Sequence, residues 1–330
     1  MSDKKLQVAV IGCGGIGNTH ARVYKANDKV DFKAVCDLDK ERADATAATF
    51  GVKAYYSVDE LLKNEDLDSV SVATAGKDNG GHHHEPTIQA LNAGKHVLCE
   101  KPISDSLEHA REMVQLAEDK KLFLGTNLNH RSTPAAQQLK ELQDAGELGD
   151  VLIINMSLWI DNKNESSPWF HIRALHQHSI DVIRFFGGDV KKVQCFMHAA
   201  PGREIWSNLS MNLQFANGAV GHLTGSYDAS MLHPIERCEV MGTKGRGVID
   251  NVFEKLTFYP REDKCEKVWN NGIFGGMASF GETFDRRINR WVDDVLAGGP
   301  ISASGADGLA AQEIVEAAIR SFENNTVETL

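Results

Sequence analysis

The apolar pattern predicts a two-domain α/β protein: a parallel sheet covered by helices in residues 1–126, then an α+β domain with an open, mostly antiparallel sheet in residues 127–330. Three observations carry this expectation. Strand and helix signals alternate through residue 126, which calls for parallel strands joined by crossover helices. A glycine cluster at 12–17 separates the first strand signal from the first helix signal. After residue 150 the rhythm changes, and strand-like runs group together behind a single helix. A chain of 330 residues is also long for one core.

Each element follows from local pattern. Residues 6–11 are a short apolar run, and 16–25 has helical spacing. A second strand is expected over 31–36, an alanine-rich helix over 40–50 and a weak strand over 53–55. Ser57, with Glu60 three residues on, has the form of a capping box. Strands over 69–73, 96–99 and 122–125 then alternate with helices over 86–93 and 104–118. In the second half, Pro134 after Thr133 marks the first turn of a helix. A strand over 151–160 precedes a helix over 171–186 that stops at Gly187-Gly188. Strands follow over 192–198, 209–215, 219–227 and 236–241, with Asn217-Gly218 as a hairpin signal between two of them. Helices over 284–296 and 306–322 close the chain. There is no internal repeat and no low-complexity linker.

Charge and cysteine usage narrow the function class. With 35 basic against 46 acidic residues the net charge is -11, which argues against nucleic acid or an anionic membrane as partner. No run approaches the ~20 apolar residues that span a bilayer. The start runs straight into a strand rather than a signal peptide. Six scattered cysteines without a C-x-x-C pair suit a reducing, cytoplasmic home.

Gly12-Cys13-Gly14-Gly15-Ile16-Gly17 fits G-x-G-x-x-G, the phosphate-binding turn of a Rossmann domain. Gly12 permits the tight turn, Gly14 lets the backbone approach a pyrophosphate, and Gly17 lets helix and strand pack closely. The phosphates are expected at the helix N-terminus, beside Gly15 and Ile16. Asp37 ends the second strand, where a carboxylate accepts hydrogen bonds from an adenosine ribose and repels a 2′-phosphate. NAD is therefore expected over NADP, although Lys40 and Arg42 nearby leave NADP open. The alternative role for Asp37 is a plain helix cap.

The run 90–102, ending Cys99-Glu100-Lys101-Pro102, closely resembles the signature of the Gfo/Idh/MocA family (glucose–fructose oxidoreductase, inositol dehydrogenase, rhizopine catabolism). The likeness extends through 145–149 and, loosely, to His178-Ser179-Ile180-Asp181. It implies an NAD(P)-dependent oxidoreductase acting on a secondary alcohol of a sugar, glycoside or cyclitol. It also implies that Lys101 stands beside the nicotinamide and the substrate hydroxyl. The chemistry agrees: ligands of open parallel sheets bind past the carboxyl ends of strands, and a hydride leaving a carbinol carbon must be matched by a proton leaving its oxygen. The cofactor set reads as Gly12, Gly14, Gly15, Ile16, Gly17, Asp37, Thr74, His83, Glu100 and Lys101. His83 stands where relatives have a single histidine, within His82-His83-His84 and after a glycine-rich loop at 75–81. Pro102 is a candidate for a cis peptide that aims Lys101.

On the substrate-domain helix the family pattern is Asp, three residues, His, two residues, Asp. His178 and Asp181 match its second half, so the catalytic set is Lys101, His178 and Asp181, the last orienting the His178 ring. Ala174 occupies the position of the first Asp. His171 and His176 are available as replacements, and His171 shares the helical face of His178. Asn129, His130, Arg131, Trp159, Asp161, Trp169, His171, Arg173 and His176 are candidates for touching a polyol, against the alternatives of core packing and a structural ion pair. The histidine spacings match no established zinc pattern, so no metal is expected.

Two other readings stay open on these residues. One is an NAD-recycling lyase, glycosidase or epimerase acting through a transient keto-sugar; the other is a cofactor-sensing regulator without catalysis. The open sheet of the second domain suggests a homodimer or homotetramer.

Overall fold

A computed structural model of the chain describes residues 5–76, 82–229, 234–252, 254–271 and 276–330, with the side chains of 276–279 excepted. The expected loop residues Lys77, Asp78, Asn79, Gly80 and Gly81 lie outside the described set. The chain forms two compact units, 1–128 with Phe284–Ala310 and Asn129–Thr283 with Ala311–Leu330.

The first unit runs β1 (Leu6–Ile11), α1 (Gly15–Ala26), β2 (Val30–Cys36), α2 (Lys40–Phe50), β3 (Lys53–Tyr55), α3 (Val58–Asn64), β4 (Ser69–Val72), α4 (His84–Asn92), β5 (His96–Cys99), α5 (Leu107–Asp119) and β6 (Leu124–Thr126). The six strands are ordered β3-β2-β1-β4-β5-β6 and all pair in parallel. Central strands of such a sheet face helices on both sides, and β4 is buried at every position. Side-chain caps start the helices: Asp39 accepts from Glu41 N and Arg42 N, Ser57 from Glu60 N, and Ser106 from His109 N. Gly51 closes α2 in the left-handed conformation, at φ 64°.

The second unit continues with α6 (Pro134–Asp144), β7 (Val151–Trp159), α7 (Phe170–Gly187), β8 (Val190–His198), β9 (Asn208–Phe215), β10 (Val220–Ser226), β11 (Glu236–Gly242), β12 (Gly245–Asp250), β13 (Lys255–Pro260) and β14 (Lys267–Asn270). Its nine-stranded sheet is ordered β14-β13-β12-β11-β7-β10-β9-β8-β15, where β15 is Glu328–Thr329. The β7/β10 pair is parallel and the other pairs are antiparallel. Helix α7 packs closely on this sheet because glycines face it. A Cβ on Gly225 would lie 2.0 Å from the His176 ring. The core is built from the inward positions of β7–β13 with Leu139, Ile180, Ile183 and Ile314.

Two features depart from the sequence expectation. Strands β12–β15 carry no clear signal in the sequence. The single division at 126/127 is also corrected: helices α8 (Gly276–Ala297) and α9 (Gly305–Asn324) give Phe284–Ala310 to the first unit. Packing explains this. The Trp291 indole donates to Ser69 Oγ at 3.2 Å, and a Cβ on Gly125 would lie 2.8 Å from the same ring. The buried Arg287 guanidinium donates to the Thr126 and Ala303 carbonyls, while Thr126 N donates to Ala303 O. This segment thus covers the β6 edge, which would otherwise present unpaired backbone groups.

Candidate active site

The site residues expected from the sequence fall in both units, and each unit is described by itself. In the first, β1 delivers the glycine loop onto α1. Gly12 has φ 98°, and a Cβ there would lie 2.6 Å from Ala73 O. A Cβ on Gly17 would lie 1.8 Å from Gly12 O, so helix and strand approach as closely as backbone allows. Gly14 and Gly15 instead face open space, where a Cβ would meet nothing within 4 Å. Helix α1 starts at Gly15 without a side-chain cap, so its first N–H groups and its dipole are presented to an anion. Ile16 on this turn is 42% exposed.

Asp37 follows β2 and ties the loop in place. Its Oδ2 accepts from Cys13 N at 2.8 Å and its Oδ1 from Asp39 N at 2.9 Å. The cap of α2 is Asp39, so the plain capping role does not fall to Asp37. Of the two nearby cations, Arg42 pairs with Asp39 at 3.1 Å and also reaches Asp37 Oδ1 at 3.7 Å, and the Lys40 ammonium stands over the Tyr56 ring at 5.1 Å. These residues fit a dinucleotide: an open, uncapped helix start for its phosphates and a carboxylate at the next strand end for its ribose.

Past β5, Glu100 is buried and held by three donors or partners. Its Oε1 meets His20 Nε2 at 2.9 Å and Asn127 Nδ2 at 2.5 Å, and its Oε2 accepts from Lys101 N at 3.2 Å. Burial pushes its pKa up, but the His20 hydrogen bond and charge, Lys101 and Asn127 outweigh burial and hold it lowered. His20 Nδ1 in turn meets Ser71 Oγ, which also bonds the Tyr24 hydroxyl at 2.6 Å. Lys101 is partly buried; desolvation lowers its pKa, and the Glu100 charge opposes that shift. The Lys101-Pro102 peptide is cis.

His83 lies beneath this turn. It is buried, its Nδ1–H donates to Pro102 O at 2.8 Å, and burial lowers its pKa. Thr74 donates from its hydroxyl to His82 O at 2.7 Å. His83 therefore braces the backbone beside Lys101 and Thr74 holds the backbone at His82, an arrangement that sequence spacing alone does not reveal.

In the second unit, helix α7 carries His178. Its ring stacks on His130 with centroids 4.2 Å apart and planes 6° from parallel. His130 Nδ1 meets Glu236 Oε2 at 2.7 Å, and all three residues are buried. Asp181 is expected from the sequence to orient His178; the partner shown for it is the Arg131 guanidinium, which engages both its oxygens and whose carbon also stands 5.2 Å over the Phe185 ring. Arg131 is thereby buried in an ion pair instead of standing open to a polyol. Asn129 donates to Thr283 Oγ1 at 2.7 Å.

His171 and His176, which the sequence offers as replacements for the carboxylate missing at Ala174, are hydrogen-bonded to each other and to Trp206 and Ser179. His171 Nδ1–H donates to Trp206 O at 3.1 Å, which leaves its Nε2 as acceptor. His176 Nε2 lies 3.0 Å away and must be the donor, so its Nδ1 accepts from Ser179 Oγ. Both rings are held neutral by burial, with the His171 pKa pushed down to about 4 and that of His176 lowered well below its ordinary value. Arg173 forms a two-pronged ion pair with Glu316, the structural alternative foreseen for it. Trp169 packs with Trp206 and Phe322, while Trp159 ends β7 partly buried with Asp161 exposed beyond it. Among the described residues, no group of three His, Cys, Asp or Glu side chains is arranged to hold a metal ion.

Three participants escape the sequence reading. His20 follows Gly17 by three residues, and its place on the apolar stripe of α1 is the available signal. Asn127 and Glu236 have none, because strand pairing and chain reversal bring them to their partners.

A parallel sheet in the order 3-2-1-4-5-6, an open glycine turn and a strand-end lysine together define a dinucleotide-binding oxidoreductase. Comparison with known proteins gives the family. Residues 6–128 match the oxidoreductase family with an NAD-binding Rossmann fold, and residues 136–248 match the Gfo/Idh/MocA C-terminal domain. The chain belongs to the Gfo/Idh/MocA oxidoreductase family, and its N-terminal domain is an NAD-binding Rossmann fold. It is similar to a myo-inositol 2-dehydrogenase of Thermotoga maritima, 27% identical with 96% of each chain covered. It is also similar to a levoglucosan dehydrogenase of Pseudarthrobacter phenanthrenivorans, 23% identical with 96% of each chain covered. In fold it resembles an oxidoreductase from Agrobacterium radiobacter solved with NAD+, L-tartaric acid and magnesium; the TM-score is 0.88 at 23% identity, covering 99% of this chain and 98% of that one.

Proposed function

We propose that this protein oxidises a secondary alcohol of a sugar, glycoside or cyclitol. The observation that carries the reading is Lys101: a desolvated ammonium at the carboxyl end of β5, beside the buried Glu100–His20–Asn127 cluster and in the same unit as the open glycine turn. NAD, when bound, accepts the hydride from the carbinol carbon. Lys101 holds the hydroxyl oxygen, which favours loss of its proton as the C–O bond becomes C=O. Lys101 is kept aimed by the His83–Pro102 hydrogen bond. His178 receives the hydroxyl proton, so that substrate loses one hydride and one proton. Asp37 selects NAD through the ribose, and Gly14, Gly15 and Ile16 hold the phosphates. Relatives named as inositol and levoglucosan dehydrogenases support the polyol class.

We propose further that the protein is cytoplasmic and works as a homodimer or homotetramer. The outward positions of the larger sheet include exposed Phe196, Val220 and Tyr259, which a second copy would cover. Among the described residues no helix is long and apolar enough to cross a membrane.

The reading is tested by mixing the purified protein with NAD and a panel of inositols, glucosides and anhydro-sugars while following NADH absorbance. NADH formation with at least one ring polyol is expected. Product formation without net NADH would replace the dehydrogenase by a cofactor-recycling lyase or epimerase, and silence across the panel would remove catalysis on this substrate class.

A further inference from the structure

Resting on the NAD reading, we propose that Asp39 and Tyr56 are specificity-determining residues: by engaging Arg42 and Lys40, they withhold from a 2′-phosphate the two cations that follow Asp37 in the chain. The need for such a device lies in residues 37–44. Asp37 repels a 2′-phosphate, yet Lys40 and Arg42 stand a few residues further on. A guanidinium or ammonium beside the ribose is what an NADP site uses to hold that group, which carries about two negative charges. Left open, the two cations would undo the preference that Asp37 sets.

The first unit shows both of them engaged. Asp37 N donates to Tyr55 O at 3.1 Å, which pins the end of β3 beside the end of β2 and brings Tyr56 next to the turn that starts α2. The Lys40 ammonium stands 5.1 Å over the Tyr56 ring, and the Tyr56 hydroxyl donates to Asp44 Oδ1 at 2.9 Å. Lys40 and Asp44 lie one turn apart on the same face of α2, so the ring is held at both ends. Asp39 divides its carboxylate between two tasks. Its Oδ1 accepts from Glu41 N at 3.1 Å and Arg42 N at 3.2 Å, closing a helix start that would otherwise attract an anion. Its Oδ2 lies 3.1 Å from Arg42 Nε, while Arg42 Nη2 lies 3.7 Å from Asp37 Oδ1, so the guanidinium sits between two carboxylates. Residues 37–44 hold four carboxylates against two cations, a net charge of -2, and both cations are turned onto partners within this edge of the unit. Neither Asp39 nor Tyr56 touches the cofactor in this scheme; each acts through the cation it holds.

Calorimetric titration of the full chain with adenosine 2′,5′-bisphosphate and with 5′-AMP reads the selectivity without turnover. Wild type is expected to bind the bisphosphate about tenfold more weakly than 5′-AMP. Y56L releases Lys40 and should move that ratio about threefold toward the bisphosphate. D39N keeps a residue that caps α2 but releases Arg42, and should move it about tenfold. The two together should give about thirtyfold. Removing each released cation, in Y56L/K40A and D39N/R42A, should cancel the gain; D39N/R42A has the net charge of wild type, so a pure charge effect is separated from the loss of the clamp. Should Y56L or D39N not fold, Y56Q and D39S carry the same expectations. A wild-type preference for the bisphosphate, ratios that stay flat in folded variants with normal NAD binding, or gains that survive the loss of Lys40 and Arg42 each overturn the inference. A wild-type protein that binds neither 5′-AMP nor NAD would instead overturn the dinucleotide reading on which it rests.

Discussion

Replacing Lys101 by Met separates its chemistry from its place in the fold. Met keeps most of the aliphatic stem, so the change removes the ammonium and little volume. In the folded protein that ammonium is opposed by desolvation and favoured by Glu100. Without it, Glu100 keeps His20, Asn127 and the position-101 N–H as partners. Lost attraction and relieved desolvation therefore nearly offset, and stability should stay within ~1 kcal/mol of wild type. Turnover is a different matter. If the lysine organises the reacting oxygen, its loss should cost ~4 kcal/mol of transition-state stabilisation, about a thousandfold in kcat/KM. NAD affinity should change by less than about threefold, because the proposed phosphate and ribose contacts lie past the ends of β1 and β2, not β5. Steady-state NADH formation, calorimetric melting and NAD titration measure the three quantities on one preparation. Activity within about tenfold of wild type would refute the reasoning, as would a loss fully explained by failed NAD binding.

Three other substitutions or conditions test separate links. Asp37→Asn keeps an acceptor for Cys13 N but removes the charge, so NAD should bind about tenfold more weakly while NADP gains relative to it; an unchanged NAD-to-NADP ratio would show that Asp37 does not select the cofactor. Gly17→Ala drives a Cβ to within 1.8 Å of Gly12 O, so the loop must shift; NAD binding should disappear and the melting temperature fall, and normal NAD affinity would contradict the close-packing role. Acid should weaken the second unit through His171, whose pKa is pushed down to about 4 by burial. The unfolded chain takes up that proton first, so the stability is complete above ~6.5 and is lost by roughly 3 kcal/mol as pH falls to about 4. Urea midpoints in His171→Asn should depend less on pH over that window, and parallel profiles for variant and wild type would argue against a neutral His171.

The first unit is far more legible in the sequence than the second. Parallel strands such as β1 and β5 are short, largely apolar runs, and glycines and caps punctuate them; α2, β3 and β5 match the expected boundaries residue for residue. The antiparallel strands β12–β14 mix charged and apolar residues on an open sheet, and their signal is weak. Local pattern also cannot show that Trp291 and Arg287 return to β6, because that contact joins residues far apart in sequence. At the site, Lys101 and the glycine turn are readable because their chemistry demands a fixed spacing. Arg131, Arg173 and His171 look available only because their partners Asp181, Glu316 and Trp206 arrive through tertiary packing. The Glu236–His130 pair is invisible for the same reason, although His130 itself stands among the polyol candidates.

The most direct measurement follows the hydrogen itself. The protein is incubated with NAD and an active ring polyol carrying deuterium on the carbinol carbon, and the reduced cofactor is analysed by NMR and mass spectrometry. Direct hydride transfer places one deuterium at C4 of the nicotinamide, on a single face, with a slower rate than the protiated substrate. Deuterium recovered in water, or a reduced cofactor without the label, would contradict it.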